Sequence, residues 1–324
     1  LRVHLLSRLA SALYFAEPET RHIDVCREAV AMARRLGHRP ALGAALFKLH
    51  FSRLDPDGLA ERALVAEELA SVAAETGDTD LRSRSLMTRI VDSLERADRL
   101  GLEVALEAHE ALASQLRHPT LLWHVKLWRG MRALLAGRIP EADALAEEAL
   151  REGMRLSQEI AIEWYGVQIF PVRREQGRLL ELEPAIRRLV SLYPAIATWP
   201  AALALLEVEQ GREDAAGGRI HPLCTREPFR LRRDLNTLIT LAVLAEVCWA
   251  LRDPALAAPV EAALAPYAGR QLMIGVAVAG YGSVDRYLGL LSATLGRLDE
   301  AVSRLEQGVR SDTSMGAEGL AAHG

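Results

Sequence analysis

The sequence has few of the residues from which disulfide scaffolds and β-sheets are built, and no long apolar run. Its 324 residues include only three cysteines, and aromatic residues make up 5% of the chain. Three widely spaced cysteines form neither a disulfide framework nor a zinc pattern. Strands favour aromatic and β-branched residues, so this composition favours helices. No apolar run approaches the ~18 residues of a membrane span, and no secretory signal sequence is recognisable.

Charge and hydrophobicity indicate a globular protein without a general affinity for nucleic acid. The chain carries 39 Lys and Arg against 43 Asp and Glu, a formal net charge of −4, and 50% of its residues are hydrophobic. Such mild acidity gives no reason to bind nucleic acid directly. Cys26 and Cys248 lie in apolar, helix-like stretches, so we predict buried, reduced thiols and a cytoplasmic protein. Because the chain starts at Leu1 rather than Met, we expect a fragment or a processed product.

A Gly-containing turn between two apolar helical runs recurs along the chain. The stretch GMRALLAGRIPEADALAEEAL from Gly130 aligns with GLLSATLGRLDEAVSRLEQGV from Gly289, and shorter copies centre on Gly177 and Gly211. With weaker turns near positions 18, 57, 101 and 253, the mean step is about 40 residues, which is typical of helical repeat arrays. We therefore predict sixteen helices in eight antiparallel pairs that stack on one another, as a single all-α domain over 1–324.

Local signals support these helices. Gly37 and Gly77 each follow a helical run, where glycine adopts the left-handed cap at little cost. Asp253 followed by Pro254 predicts a helix N-cap with proline in the first turn. Small residues recur at the positions where paired helices would approach most closely, namely Gly130, Ala142, Ala149, Gly289 and Ala301.

Two segments interrupt the pattern. Residues 217–233, GGRIHPLCTREPFRLRR, combine glycine, proline and charge with poor apolar periodicity, so we expect an irregular insertion. Residues 269–282, GRQLMIGVAVAGYG, place four glycines around an apolar run. We expect this second segment to fold against the solenoid as a loop before the next helix.

The turn copies resemble the tetratricopeptide repeat (TPR) family. Gly130, Ala142 and Ala149 have the family's small–Ala–Ala spacing. Leu288, Gly289, Ala301, Leu305 and Gly308 match five of its positions, with Gly in place of the last Ala. The resemblance implies a right-handed TPR-like α-solenoid of about eight antiparallel helix pairs. In such an array the first helix of each pair lines a concave surface.

A second resemblance covers most of the chain. The segments EAVAMARRLGHRPALGAALF, AEELASVAAETGD, YGSVDRYLGLLSATLGRLDEAVSRLE and SMGAEGLAAH are similar to the long helical-repeat region of large bacterial signalling regulators. The resemblance implies that an ATPase domain, a LuxR-type DNA-binding domain or a class III nucleotide cyclase lies outside this fragment.

No motif predicts chemistry in the fragment itself. The chain lacks a GxxxxGK[ST] phosphate loop, and Gly275, Gly280 and Gly282 do not form a GxGxxG fingerprint. His221 and Cys224 are close in sequence, but a metal site needs three or four converging ligands. We therefore predict no catalytic residue, no cofactor and no metal site.

The concave face offers the candidate binding residues. Counting back from the turn glycines places His124 and Met131 on it in the fourth pair, and Trp164 and Arg174 in the fifth. Aromatic, Met and Arg side chains are typical of binding surfaces. The alternative is that Trp164 packs between adjacent pairs as core. The densest basic run, Arg226, Arg230, Arg232 and Arg233, is either an ordinary solvated surface or a second interaction surface.

These observations favour a non-enzymatic module that binds a protein or a small effector in its concave groove and signals to attached domains. The sequence leaves open two alternatives: an enzyme built on a helical solenoid and a stand-alone scaffold protein. An enzyme would require polar groups that converge in one pocket with shifted pKa values, and the sequence predicts no such set. No contact with a membrane is predicted.

Overall fold

A computed structural model describes residues 1–14, 20–225, 229 and 231–322. Within these residues the first eight α-helices are α1 (Arg2–Ala12), α2 (Arg21–Leu36), α3 (Arg39–Ser52), α4 (Leu59–Thr76), α5 (Thr79–Glu95), α6 (Arg99–Leu116), α7 (Pro119–Leu135) and α8 (Ile139–Gly153). The remaining α-helices are α9 (Gln158–Glu175), α10 (Glu183–Leu192), α11 (Thr198–Glu209), α12 (Glu213–Cys224), α13 (Thr237–Leu251), α14 (Pro254–Leu264), α15 (Val284–Thr294), α16 (Leu298–Ser314) and α17 (Glu318–Ala321). Two short 3-10 helices, Leu179–Leu182 and Ala265–Tyr267, precede α10 and follow α14.

The helices follow one another in pairs, from α1–α2 to α15–α16, and the short α17 ends the described chain. Short connections between consecutive helices favour antiparallel neighbours. The contacts run between helices that are close in the chain, such as α3 with α4, α11 with α13, and α15 with α16. The predicted all-α class and the solenoid type of helix packing are therefore confirmed.

The predicted helix ends are confirmed by backbone geometry. Gly37 and Gly77 have φ angles of 63° and 64°, in the left-handed region that glycine adopts without a steric penalty. The side chain of Asp253 accepts hydrogen bonds from the backbone N–H of Ala255 at 2.9 Å and of Leu256 at 3.2 Å. These bonds satisfy two N–H groups that α14 leaves without helical partners.

The small residues lie where the helices approach most closely. A Cβ on Gly289 would lie 2.7 Å from Cγ of Leu305 and 3.2 Å from the carbonyl oxygen of Ala301. Ala301 itself is only 3% exposed. In the pair α15–α16 the packing therefore depends on the absence of larger side chains, as the repeat alignment predicted.

The described chain forms two compact units, and each has its own apolar core. Unit 1 contains Leu1–Ser93, Leu100–Leu121 and Arg232–Leu235, and unit 2 contains Leu94–Arg99, Leu122–Leu231 and Asn236–Gly324. The core of unit 1 centres on α2, α3 and α4, and the largest core cluster of unit 2 on α11 to α15. A single domain over 1–324 stays a prediction. In a repeat array each repeat contacts only its neighbours, so one array can divide into compact groups of repeats.

The two interrupting segments are more regular than predicted. Helix α12 extends to Cys224, so residues 217–224 are helical and the prediction of an irregular insertion was wrong there. Ala216, Ile220 and Cys224 recur every four residues and are buried, and this packing outweighs the unfavourable glycines and proline. Residues 269–282 contain β1 (Gln271–Ile274) paired antiparallel with β2 (Ala279–Ser283), with a bulge after Leu272. The segment does pack against unit 2, as predicted, but as a hairpin.

The cysteines and the helix lengths agree with the composition. Cys26, Cys224 and Cys248 are free thiols and are at most 2% exposed. The prediction of buried, reduced thiols at Cys26 and Cys248 is therefore confirmed. Among the helices of the described residues, none is both long and apolar enough to cross a membrane.

Candidate functional site

The first helices of successive pairs contact one another in unit 2. The side-chain amide of Gln168 on α9 donates to the carbonyl of Leu127 on α7 at 2.7 Å. Further along, Arg174 on α9 forms an ion pair with Glu246 on α13 at 2.6 Å. We call this surface of α7, α9, α11 and α13 the first-helix face. It is the surface on which the sequence placed the binding residues.

Two of the four predicted site residues meet in a cluster of rings. Trp164 stacks on Trp123, with centroids 4.9 Å apart and planes inclined by 14°. The ring of His124 lies 5.7 Å from those of both Trp164 and Trp128. We call Trp123, His124, Trp128 and Trp164 the aromatic cluster. It joins α7 to α9, as expected if Trp164 packs between adjacent pairs, yet Trp164 also keeps a partly exposed side chain.

Small neighbours make room for this cluster. Trp123 is only 4% exposed. A Cβ on Gly153, the last residue of α8, would lie 2.7 Å from the Trp123 ring and equally close to Cβ of Ala161. The end of α8 and the start of α9 therefore form the wall that receives the indole. Repeat spacing alone does not mark Gly153 or Trp123, because neither is one of the aligned small positions.

Met131 does not belong to an accessible surface. Its side chain is 1% exposed in the folded chain, and its predicted role in binding stays a prediction. His124 is 9% exposed. Counting along a helix gives the direction of a side chain, but it does not show that another segment covers it.

Arg174 lies in an ionic cluster that joins three helices. Its guanidinium is 2.6 Å from Glu246 on α13 and 3.6 Å from Glu209 on α11. Burial alone lowers the pKa of Arg174, but the adjacent Glu246 carboxylate more than reverses this, so the pKa is raised and the guanidinium stays charged. Burial raises the pKa of Glu209 despite the neighbouring Arg174. Arg174 is 32% exposed, and a ligand would meet it already paired with carboxylates.

The hairpin β1–β2 covers part of the first-helix face. The indole N–H of Trp128 donates to the carbonyl of Val276 at 2.9 Å. The amide of Gln168 donates to the carbonyl of Val278 at 3.0 Å. Val276 and Val278 pack in one apolar cluster with Leu127, Trp164 and Val167. Trp164, one of the four residues predicted to face a partner, thus packs in a cluster with a segment of its own chain.

Sequence reasoning missed Trp128 and Gln168, which bind the hairpin. Both are almost completely buried, with 2% and 3% exposure. Gln168 could have been predicted, because it is a polar residue on an otherwise apolar helix face and a buried amide needs hydrogen-bond partners. Its two N–H groups are satisfied by the carbonyls of Leu127 and Val278.

The basic run is partly engaged within unit 1. Arg232 donates to the carbonyl of Tyr14 at 2.9 Å, and Arg233 pairs with Asp57. Arg226 and Arg230 lie outside the described residues. The described part of the run is therefore bound to its own unit, and both readings of the run stay predictions.

Unit 1 also contains a cavity of about 240 Å³ between α2, α3 and α4. Its charged lining groups are paired, since Arg27 contacts Glu61 at 2.8 Å and Arg34 contacts Glu68. Among the described residues no group of three or more His, Cys, Asp or Glu side chains is arranged to hold a metal ion.

Comparisons with known proteins do not extend this description. No protein-family model matches the chain. No curated protein matches it significantly.

Proposed function

We propose that this chain is a non-enzymatic interaction module that binds a protein or a small effector on the first-helix face of unit 2. Following its resemblance to the helical-repeat regions of bacterial regulators, the module is part of a signalling or transcriptional regulator. Binding alters the packing of the helix pairs, and attached ATPase, DNA-binding or cyclase domains respond to that change.

One observation carries the proposal. Trp128 and Gln168 direct side-chain donors to main-chain carbonyls of a non-helical segment that lies on the face. Main-chain carbonyls are common to all polypeptides, and flanking apolar contacts add affinity. A surface built in this way has the chemistry for holding a polypeptide segment. The aromatic cluster beside it supplies the large, rigid side chains that dominate binding energies.

The enzyme alternative requires a reactive set of polar groups. One cluster on the first-helix face has shifted pKa values: those of Arg174 and Glu209 are both raised, and Glu246 lies beside them. In it the guanidinium neutralises the carboxylates that contact it, so an ion pair that connects helices accounts for the arrangement. No observation favours catalysis over this structural role.

Single substitutions on the face test the proposal. The parent chain, Trp164→Ala and Arg174→Ala are immobilised and exposed to the soluble extract of the cells that produce the protein, and retained molecules are identified by mass spectrometry. We expect at least one molecule that the parent retains and that each variant retains about tenfold less. Tyr193→Ala and Arg188→Ala are matched controls, because both side chains are exposed and neither lies on a helix of the face. They should retain as much as the parent.

Melting curves separate binding from stability. Trp164→Ala should destabilise the chain by up to about 3–5 kcal/mol if the ring acts mainly as core. Arg174→Ala leaves Glu246 without its ion pair and should also lower the melting temperature. If both folded variants retain everything that the parent retains, the first-helix face is not the binding surface and the proposal fails.

A further inference from the structure

The hairpin tip, residues Gly275–Gly280, lies where the proposed function places the partner. Its valines enter the apolar cluster of Leu127, Trp164 and Val167. Its carbonyls accept the hydrogen bonds of Trp128 and Gln168. Ala277 and Val278 are at most 1% exposed, so a second polypeptide cannot reach these donors while the tip is in place.

We propose that the hairpin tip is an internal ligand of the first-helix face, and that it has to leave before a polypeptide turn of the same chemistry binds there. The inference rests on the proposed function. The partner segment it implies has small or β-branched apolar residues, and it presents two main-chain carbonyls to Trp128 and Gln168. The hairpin is thus a strap across the binding surface.

The base and the tip of the hairpin are held in different ways. Asp312 accepts hydrogen bonds from the side chain of Gln271 at 2.9 Å and from the backbone N–H of Ser283 at 2.8 Å. Asp285 accepts one from the backbone N–H of Gly269 at 2.7 Å. Charge-assisted bonds of this kind are among the stronger ones in proteins. The base is therefore fixed to α15 and α16 by carboxylates.

The tip is held by neutral donors and by two valine side chains. Within it, Gly275 and Ala277 have φ angles of 62° and 61°. Alanine in this left-handed region is strained, and such strain is retained only where surrounding contacts impose it. The strain favours release of the tip, and the fixed base keeps the released tip close to the face. These are the properties of a segment that can open without unfolding the helices.

Hydrogen exchange of the intact chain tests whether the tip opens by itself. The backbone N–H of Val278 is bonded to the carbonyl of Ile274 at 3.0 Å. We expect this amide to exchange at least tenfold faster than the slowest amides of α7 and α9, because its opening does not require helix unfolding. Equal exchange rates would mean that the tip is released only when unit 2 unfolds, and would overturn the inference.

A peptide supplied in trans tests the site itself. The probe is a labelled synthetic peptide with the sequence of residues 271–283, QLMIGVAVAGYGS. Its target is the full chain with Val276→Ser and Val278→Ser, which weakens the internal tip without shortening it. By fluorescence anisotropy we expect this target to bind the probe at least tenfold more tightly than the parent does. A probe in which serine replaces both valines is the matched control and should bind at least tenfold more weakly.

A reversible disulfide that holds the hairpin tip on the face provides the opposite test. A Cβ at position 280 would lie 3.4 Å from Cγ of Leu135, close enough for a disulfide between Leu135→Cys and Gly280→Cys. The oxidised chain should not bind the probe, and reduction should restore the parent's weak binding. Equal binding to the parent, the double-serine target and the locked chain would overturn the inference, as would no binding to any of them.

The result also distinguishes this inference from the proposed function. If the probe binds as expected but neither the parent nor the double-serine chain retains any molecule from cell extract, the strap is real and the proposed function fails. If the double-serine chain does not fold, as judged by its circular dichroism, the exchange experiment on the intact chain still decides the inference.

Discussion

A buried polar cluster in unit 1 and another in unit 2 differ in what their side chains bind. In unit 1, Arg62 and His50 are completely buried, and both contact Asp92, at 3.2 Å and 3.0 Å. These side chains bind one another across helices. In unit 2, Trp128 and Gln168 bind main-chain carbonyls of an inserted hairpin. The side-chain network of unit 1 needs its own specific partners. Main-chain carbonyls are present in every polypeptide, so we propose that binding occurs in unit 2.

The largest effect expected from this contrast is at Arg62. Arg62→Met leaves Asp92 buried without its strongest counter-charge, which should cost about 3–5 kcal/mol of unfolding free energy. Arg174→Met in unit 2 should cost less, because that side chain is 32% exposed and water can replace part of the lost interaction. Urea denaturation of both variants measures the difference.

Exposed Arg35 on α2 provides the control for Arg62. Arg35→Met should change stability by about 0.5 kcal/mol or less. If Arg62→Met were as mild as Arg35→Met, the buried network would not stabilise unit 1. The contrast between the units would then lose its energetic basis.

One buried histidine should contribute to the pH dependence of unit 1. His109 is completely buried beside the hydroxyl of Ser83, 3.2 Å away, and burial lowers its pKa from 6.5 to about 4. Between these values the unfolded chain binds a proton that the folded chain excludes, so stability is lost as the pH falls. From pH 7 to pH 5 the loss should be about 2 kcal/mol.

Denaturation of His109→Gln at both pH values isolates this contribution. The variant should lose about 2 kcal/mol less than the parent over the interval, since the other titrating groups are common to both. His118→Gln is the matched control because His118 is exposed, and its loss should equal the parent's. A His109→Gln chain with the parent's pH dependence would show that the histidine does not titrate as expected.

The fold was predictable wherever a residue acts through local geometry. The left-handed caps at Gly37 and Gly77 and the N-cap at Asp253 follow from one residue and its immediate neighbours. The close approach at Gly289 follows from the repeat alignment. The repeated turns then set the number of helix pairs. The helical residues 217–224 escaped prediction, because their stability comes from packing of Ile220 and Cys224 rather than from local preference.

The candidate site was only partly predictable. Spacing placed His124 and Trp164 in adjacent helix pairs, and the structure brings the centroids of their rings to 5.7 Å from each other. Sequence spacing could not reveal that Met131 is buried or that Arg174 is paired with Glu246, because these contacts join residues that are distant in the chain. The hairpin was missed because its two strands are short and β2 contains two glycines, a residue that is depleted in strands.

The smallest expected effect compares two matched helix caps, one in each unit. Asp78 accepts hydrogen bonds from the backbone N–H groups of Asp80 and Leu81, at 2.8 Å and 3.1 Å. Asp253 makes the same pair of bonds at the start of α14, at 2.9 Å and 3.2 Å. Replacing either by alanine should cost about 1 kcal/mol, because two N–H groups of the first turn lose their acceptor.

The two caps should nevertheless differ slightly. Pro254 fixes the first turn of α14 in a helical backbone conformation, whereas Thr79 at the start of α5 imposes no such restriction. Asp78→Ala should therefore cost a few tenths of a kcal/mol more than Asp253→Ala. Serine at either position retains an acceptor and should recover most of the loss, as measured by urea denaturation. A larger loss at Asp253 would mean that α14 depends on its cap more than its proline suggests, and that the helix before the hairpin is the weaker one.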